Sequence, residues 1–251
     1  LLEAETYGTM RFQAGVNPHN FKWKLNKGEQ FITPELVMVY SKNGLGEMSR
    51  TFHRLYRRNL CRGIWRDKVR PILINNWEAT YFDFNEDKLI NICKKASELG
   101  IELFVLDDGW FGKRDSDSSG LGDWYVNEKK LVGGLTAVID RCKMNGLKFG
   151  LWFEPEMVSP DSDLYRAHPD WAIHIDEREG VQSRNQMVLD LSRDEVCEYV
   201  INAVSDILAN ANIEYVKWDM NRQLTDMPRL GYNHEYTLGY YKIMSAITEK
   251  F

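Results

Sequence analysis

Ile101-Glu102-Leu103-Phe104-Val105-Leu106-Asp107-Asp108-Gly109-Trp110 is a short apolar run that ends in two adjacent carboxylates and a tryptophan. Apolar side chains on both faces of so short a segment describe a strand covered on both sides, as in a parallel sheet. Four other runs repeat the pattern. Ile72-Leu73-Ile74-Asn75 leads into Asn76-Trp77-Glu78, and Lys148 to Phe153 leads through Trp152 into Glu154-Pro155-Glu156. Met187 to Leu191 carries Asp190 near its end, and Tyr215 to Trp218 leads into Asp219-Met220-Asn221.

Helical patterns separate these runs. Asn85 is placed to cap a helix with Leu89, Cys93 and Ala96 inward, stopped by Gly100. Val138, Ile139 and Cys142 mark a second, ending near Asn145-Gly146. Ser192-Arg193-Asp194-Glu195 reads as a capping box before a helix with Val196, Tyr199, Val200, Ala203, Val204, Ile207 and Leu208 on one face. Strand-helix alternation at this spacing predicts an α/β fold with a parallel sheet. Polar and aromatic residues at the C-terminal end of every strand favour the mouth of a (β/α)8 TIM barrel. An open doubly wound sheet would concentrate its site at one switch point with a glycine-rich phosphate loop, and no such loop occurs.

The first 46 residues differ. Thr6 to Val16, Phe21 to Leu25 and Glu35 to Tyr40 read as β segments, the end of a β domain. Residues 47–69 read as a helical connector with Met48, Phe52 and Leu55 as its apolar stripe and Arg50, Arg54, Arg57 and Arg58 elsewhere. Residues 70–251 then hold about five βα units, where closure of a barrel takes about eight. After Asp219 comes one more helical pattern, with Tyr240, Met244, Ile247 and Phe251 on one side. The expectation is a partial barrel belonging to a longer protein.

Composition narrows the function. Thirty-seven acidic against 32 basic residues leave a net charge of −5, without the basic excess a nucleic-acid partner calls for. No run of about 18 apolar residues is present, so no membrane span is expected. Leu1-Leu2-Glu3-Ala4-Glu5 has no signal-peptide pattern, and the expected location is cytoplasmic. Cys61, Cys93, Cys142 and Cys197 have neither zinc-site nor disulfide-framework spacing and read as reduced thiols. The five histidines are scattered, so no metal site is expected.

On a strand, Lys217 and Asp219 share a face. An adjacent ammonium favours an ionised carboxylate, the form a glycosidase nucleophile requires; a structural ion pair is the other reading. Asp107 and Asp108 need partners if buried. They suit a cation, sugar hydroxyls, acid–base work or a helix cap. Trp77, Trp110 and Trp152, at strand ends, are placed to stack on a sugar or to fill the core. Glu154 and Glu156 are either site carboxylates or loop residues, and Arg184 is either a polar clamp or a surface arginine.

Four stretches, Asn76 to Phe82, Leu106 to Gly112, Gly150 to Met157 and Tyr215 to Arg222, together resemble glycoside hydrolase family 36, the bacterial α-galactosidases. The resemblance covers about Arg70 to Phe251 and implies that the preceding β domain is the end of a β-sandwich. It further implies retaining hydrolysis of terminal α-linked galactose, as in raffinose-type sugars. Asp219 would be the nucleophile, and Asp107 and Asp108 would hold the galactose O4 and O6 hydroxyls. Trp77 and Trp152 would be pocket walls, with Arg184 and Lys217 as polar contacts. Family members need no cofactor or metal, and many are tetramers. The family's acid/base aspartate lies beyond a sixth strand and has no counterpart among residues 1–251. Residues 1–251 alone are expected to be inactive, and poorly folded because an open barrel exposes unpaired strand edges. The alternatives are a non-catalytic galactose-binding module, an α-N-acetylgalactosaminidase or transglycosylase on the same scaffold, and a metal-dependent barrel hydrolase.

Overall fold

The computed structural model describes residues 1–251. The chain divides into two compact units, Leu1–Arg70 and Pro71–Phe251. In the first, β1 (Leu2–Ala4) pairs antiparallel with β2 (Met10–Phe12), Leu2 opposite Phe12. Helix α1 (Gly44–Leu55) follows, continued by a π turn at Tyr56–Leu60 and a 3-10 turn at Ile64–Arg66. Met48, Phe52 and Leu55 are half-buried and the four arginines exposed. The expected strands at residues 21–25 and 35–40 do not form. Leu25, Leu36, Val37 and Met38 are all exposed, and apolar alternation makes no strand without a neighbour to take its backbone hydrogen bonds.

The second unit begins with β3 (Leu73–Asn75), the short helix α2 (Trp77–Thr80) and helix α3 (Glu86–Glu98). Asn85 caps α3 by accepting from the Lys88 N–H at 3.0 Å, and Leu89, Cys93 and Ala96 are buried. Strand β4 (Leu103–Leu106), helix α4 (Gly134–Met144) and strand β5 (Lys148–Phe153) come next. A ribbon of β6 (Met157–Val158) and β7 (Met187–Val188) encloses the short helix α5 (Asp163–Ala167). Helix α6 (Asp194–Asn210), strand β8 (Tyr215–Trp218) and helix α7 (Tyr232–Lys250) complete it.

The main sheet is parallel, in the order β3-β4-β5-β8. It therefore has four strands, not the five expected. The apolar residues Met187, Val188, Leu189 and Leu191 are buried, as the run's composition demands, but β8 pairs directly with β5 and leaves no place between them. The run instead contributes two residues to the antiparallel β6–β7 ribbon. Inner strands β4 and β5 carry most of the sheet's core, with Phe104 and Phe149 fully buried and their ring centroids 6.2 Å apart. Each such side chain stabilises the fold by about 1.5–3 kcal/mol. Gly150 in β5 lies opposite Tyr215, and a Cβ there would come within 3.0 Å of both Tyr215 and Val105. A glycine thus sets how closely β5 approaches its neighbours.

The capping box at Ser192 is also corrected. The first turn of α6 is entered through Arg193, without a side-chain cap. Ser192 instead gives both its N–H (3.0 Å) and its hydroxyl (2.6 Å) to Asp190 Oδ1, and Glu195 pairs with Arg193. The helix forms on its apolar face, with Val196, Val200 and Val204 fully buried. No helix of the chain is long and apolar enough to cross a membrane.

Candidate active site

Parallel strands present all their C-terminal ends at one edge of the sheet. At that edge a cleft of about 230 Å³ gathers Trp77, Asp107, Asp108, Trp152, Arg184, Lys217 and Asp219.

Asp107 and Asp108 follow β4 and are 3% and 6% exposed, so both need partners. Lys217 Nζ donates to Asp107 Oδ2 at 2.9 Å; the Asn75 side-chain amide donates to the same oxygen. The Asp107 N–H donates to Asn76 Oδ1 at 2.8 Å, and the Asp108 N–H to Asp107 Oδ1 at 2.9 Å. Asp108 is met by a two-pronged guanidinium: Arg114 Nε donates to Oδ1 at 3.0 Å and Nη2 to Oδ2 at 2.8 Å. Arg114 is itself 3% exposed and anchored by Nη1 to the Ser119 carbonyl. Burial nonetheless raises the Asp108 carboxyl above the ordinary range, against the pull of Arg114. Carboxylate oxygens have two lone pairs each, so both groups keep capacity to accept from a ligand hydroxyl.

Asp219 lies just past β8. Its Oδ2 accepts from the Trp152 indole N–H at 3.0 Å, and its Oδ1 from the Met220 N–H at 3.0 Å. Lys217 Nζ is 4.0 Å from Oδ2, so one ammonium bridges Asp107 and Asp219. Trp152 sits opposite Lys217 in the β5–β8 register and stacks 6.1 Å from Phe111. Across the cleft, the Trp77 N–H donates to Asn75 Oδ1 at 2.7 Å, a turn that sets the indole edge-on to Phe82. Arg184 is exposed at the rim, with φ 53°.

Other residues fall differently. Trp110 is fully buried with Phe111, Trp124 and Phe153, and its indole donates to the Trp152 carbonyl at 2.9 Å. It is a core residue rather than a stacking platform. Glu156 is buried away from the cleft, accepting from Tyr236 Oη at 2.6 Å and Trp218 Nε1 at 3.0 Å. Glu154, by contrast, lines the cleft at 1% exposure and accepts from the Asn221 N–H. Burial pushes its carboxyl up to about 7, opposed by Asn221 and reinforced by the charges of Asp219 and Asp108.

Sequence reasoning passed over Arg114, Asn75, Phe82, Gln186 and Asn221 as individual site residues. One signal for Arg114 existed: two carboxylates ending an apolar strand require a cation. Gly109, at φ 100°, makes the turn after them, where a Cβ would approach Phe82 and Phe84 within 3.2 Å. No group of three or more His, Cys, Asp or Glu side chains is arranged to hold a metal.

Paired carboxylates beside indole rings at the C-terminal edge of a parallel sheet form a site of the kind that carbohydrate-processing enzymes use. Residues 30–251 match the Melibiase family model. The chain belongs to this family, glycoside hydrolase family 36. It is 55% identical, over its whole length and 35% of the relative's, to the α-galactosidase AgaA of Geobacillus stearothermophilus. It is 48% identical to the α-galactosidase Mel36A of Lactobacillus acidophilus, again over its whole length and 35% of the relative's. The crystal structure of AgaA superposes with TM-score 0.97, covering 100% of this chain and 36% of that one. AgaA variants have been crystallised with raffinose and with stachyose. The chain thus spans about a third of the length of these relatives.

Proposed function

We propose that the whole protein is a retaining α-galactosidase that releases terminal α-linked galactose from raffinose-type oligosaccharides, with Asp219 as nucleophile. The observation that carries this reading is the Asp219 carboxylate, held by Trp152 and Met220 within the cleft and 4.0 Å from Lys217. An oriented carboxylate facing a sugar site is equipped to attack an anomeric carbon. In that step an Asp219 oxygen bonds to C1 while the C1–O bond to the leaving group breaks. The departing oxygen takes a proton from a second carboxyl, and water later opens the galactosyl ester. That acid/base group is assigned to sequence outside residues 1–251, as is the remainder of a (β/α)8 barrel around the four-stranded sheet. Asp107 and Asp108 accept the galactose O4 and O6 hydroxyls. An equatorial O4 would leave these buried acceptors poorly matched, which favours galactose over its epimer. Trp77 and Trp152 enclose the ring, and Arg184 contacts the ligand at the rim. The raffinose and stachyose complexes of AgaA variants support substrates of this class. The β segments before residue 47 are assigned to a β-sandwich domain, and the whole protein to a homo-oligomer.

The test is to inactivate the full-length protein with a fluorinated galactosyl mechanism-based reagent and map the labelled peptide. Labelling at Asp219 is the expected result. Labelling at another residue overturns the nucleophile assignment, and absence of both labelling and turnover overturns the enzyme reading in favour of a galactose-binding module.

A further inference from the structure

Arg184 is carried on a turn that is strained by itself. Ser183 and Gln186 exchange backbone hydrogen bonds at 3.1 and 3.2 Å, and between them Arg184 and Asn185 both have left-handed φ, 53° and 60°. Two consecutive left-handed residues are the pattern of a tight hairpin turn that favours Asn and Gly. Asparagine tolerates it, but a left-handed arginine persists only where its surroundings hold it.

Asp226 Oδ2 accepts from the Val181 N–H at 3.3 Å, Met187 is paired in the β6–β7 ribbon, and one buried arginine reaches both flanks. Arg222 Nη1 donates to the Val181 carbonyl at 2.7 Å and to the Gln186 carbonyl at 2.9 Å, so one nitrogen spans the two flanks of the turn. Its Nη2 donates to Thr225 Oγ1 at 2.5 Å, its Nε to the Gln223 carbonyl at 3.2 Å, and the residue is 4% exposed. These partners are neutral oxygens. A buried guanidinium with such partners acts as a rigid fork, a geometry lysine cannot copy. Arg222 also follows Asp219 by three residues, and between them the Asn221 N–H is tied to Glu154 at the end of β5.

We propose that Arg222 is a positioning residue that clamps the Ser183–Gln186 turn, so that the loop bearing Asp219 also fixes Arg184 at the rim of the cleft. The inference rests on the galactosidase reading for the ligand that Arg184 contacts, but not for the clamp itself. Two measurements on the full-length protein keep these apart. In the first, kcat/KM for an aryl α-galactoside is measured for Arg184→Ala, Arg222→Lys and the double variant. Misplacing a contact by about 1 Å lowers catalysis by up to roughly 100-fold. Each single variant should fall by roughly 10- to 100-fold, and the double variant should fall no further than the worse single. Losses that multiply, or an Arg222→Lys enzyme with unchanged kcat/KM, overturn the proposal.

The second measurement needs neither a variant nor turnover. Hydrogen exchange of the unmodified protein should show the Gln186 amide protected by at least about 100-fold. Exchange at the rate of an open loop overturns the clamp whatever the activity. Protection without α-galactosidase turnover overturns the functional reading and leaves the clamp standing.

Discussion

Trp152 and Asp219 are joined by an indole N–H···Oδ2 hydrogen bond of 3.0 Å that crosses from β5 to the residue after β8. A wall of the cleft is thereby also a donor to its central carboxylate. Trp152→Phe keeps a ring and removes that donor. Hydrogen bonds to charged groups contribute about 1.5–3 kcal/mol, so kcat/KM of the full-length enzyme should fall roughly 10- to 150-fold. Steady-state kinetics with an aryl α-galactoside checks this, and a loss under about threefold would mean that the indole does not orient Asp219.

Asp219→Ala should abolish turnover without unfolding the protein, because Asp219 is half-buried at a strand end and outside the apolar core. Azide should restore part of the activity and give the β-galactosyl azide. Product stereochemistry by NMR reads the outcome; an unrescued variant that still turns over substrate would remove Asp219 from the nucleophile role.

Arg114→Met should be among the most destabilising single changes. It strands the Asp108 carboxylate with side chains 3% and 8% exposed in the pair. Breaking a buried pair by removing one partner costs about 3–5 kcal/mol. Thermal or denaturant melts should show that Asp108→Asn together with Arg114→Met loses less than the two single losses added.

Glu154 makes stability depend on pH in a definite sense. Its carboxyl sits at about 7 in the folded chain against an ordinary 4.5, so the folded state binds the proton more tightly. This contribution is fully present below about pH 4.5 and is lost as pH rises through about 7. The span corresponds to about 3 kcal/mol. Glu154→Gln keeps an acceptor for the Asn221 N–H and removes the titration. Relative to the unmodified protein, it should gain stability between pH 5 and pH 8, read from melts at both; no change in the difference would contradict the assignment.

The strands were legible because β4 and, after Lys148, β5 are buried on both faces and carry no polar side chain there. Apolarity reports burial, not pairing, so the equally buried Met187 and Val188 were assigned to the wrong sheet. Trp110 shows the same limit: a tryptophan at a strand end reads alike whether it faces a ligand or Phe153. Asp107, Asp108, Asp219, Trp77 and Trp152 were legible as candidates because carboxylates and indoles at strand ends are chemically out of place in a core; Lys217 followed from sharing a face with Asp219 and Arg184 from the family resemblance, and one cleft gathers all seven. Arg114 and Arg222 were not, since an arginine's burial is decided by which carboxylate or carbonyl the folded loops bring to it. Ser192 was misassigned because Asp190, two residues earlier, competes for its hydroxyl.

Gly150 gives a position deeper along the sheet a say in the chemistry. Two positions along the same strand from Trp152, it faces Tyr215 with no room for a side chain between them. A methyl group placed there would act as a wedge, tilting Lys217 and Asp219 relative to the indole without replacing any residue that lines the cleft. Tuning of the cleft in this scaffold is thus open to changes at residues that do not line it.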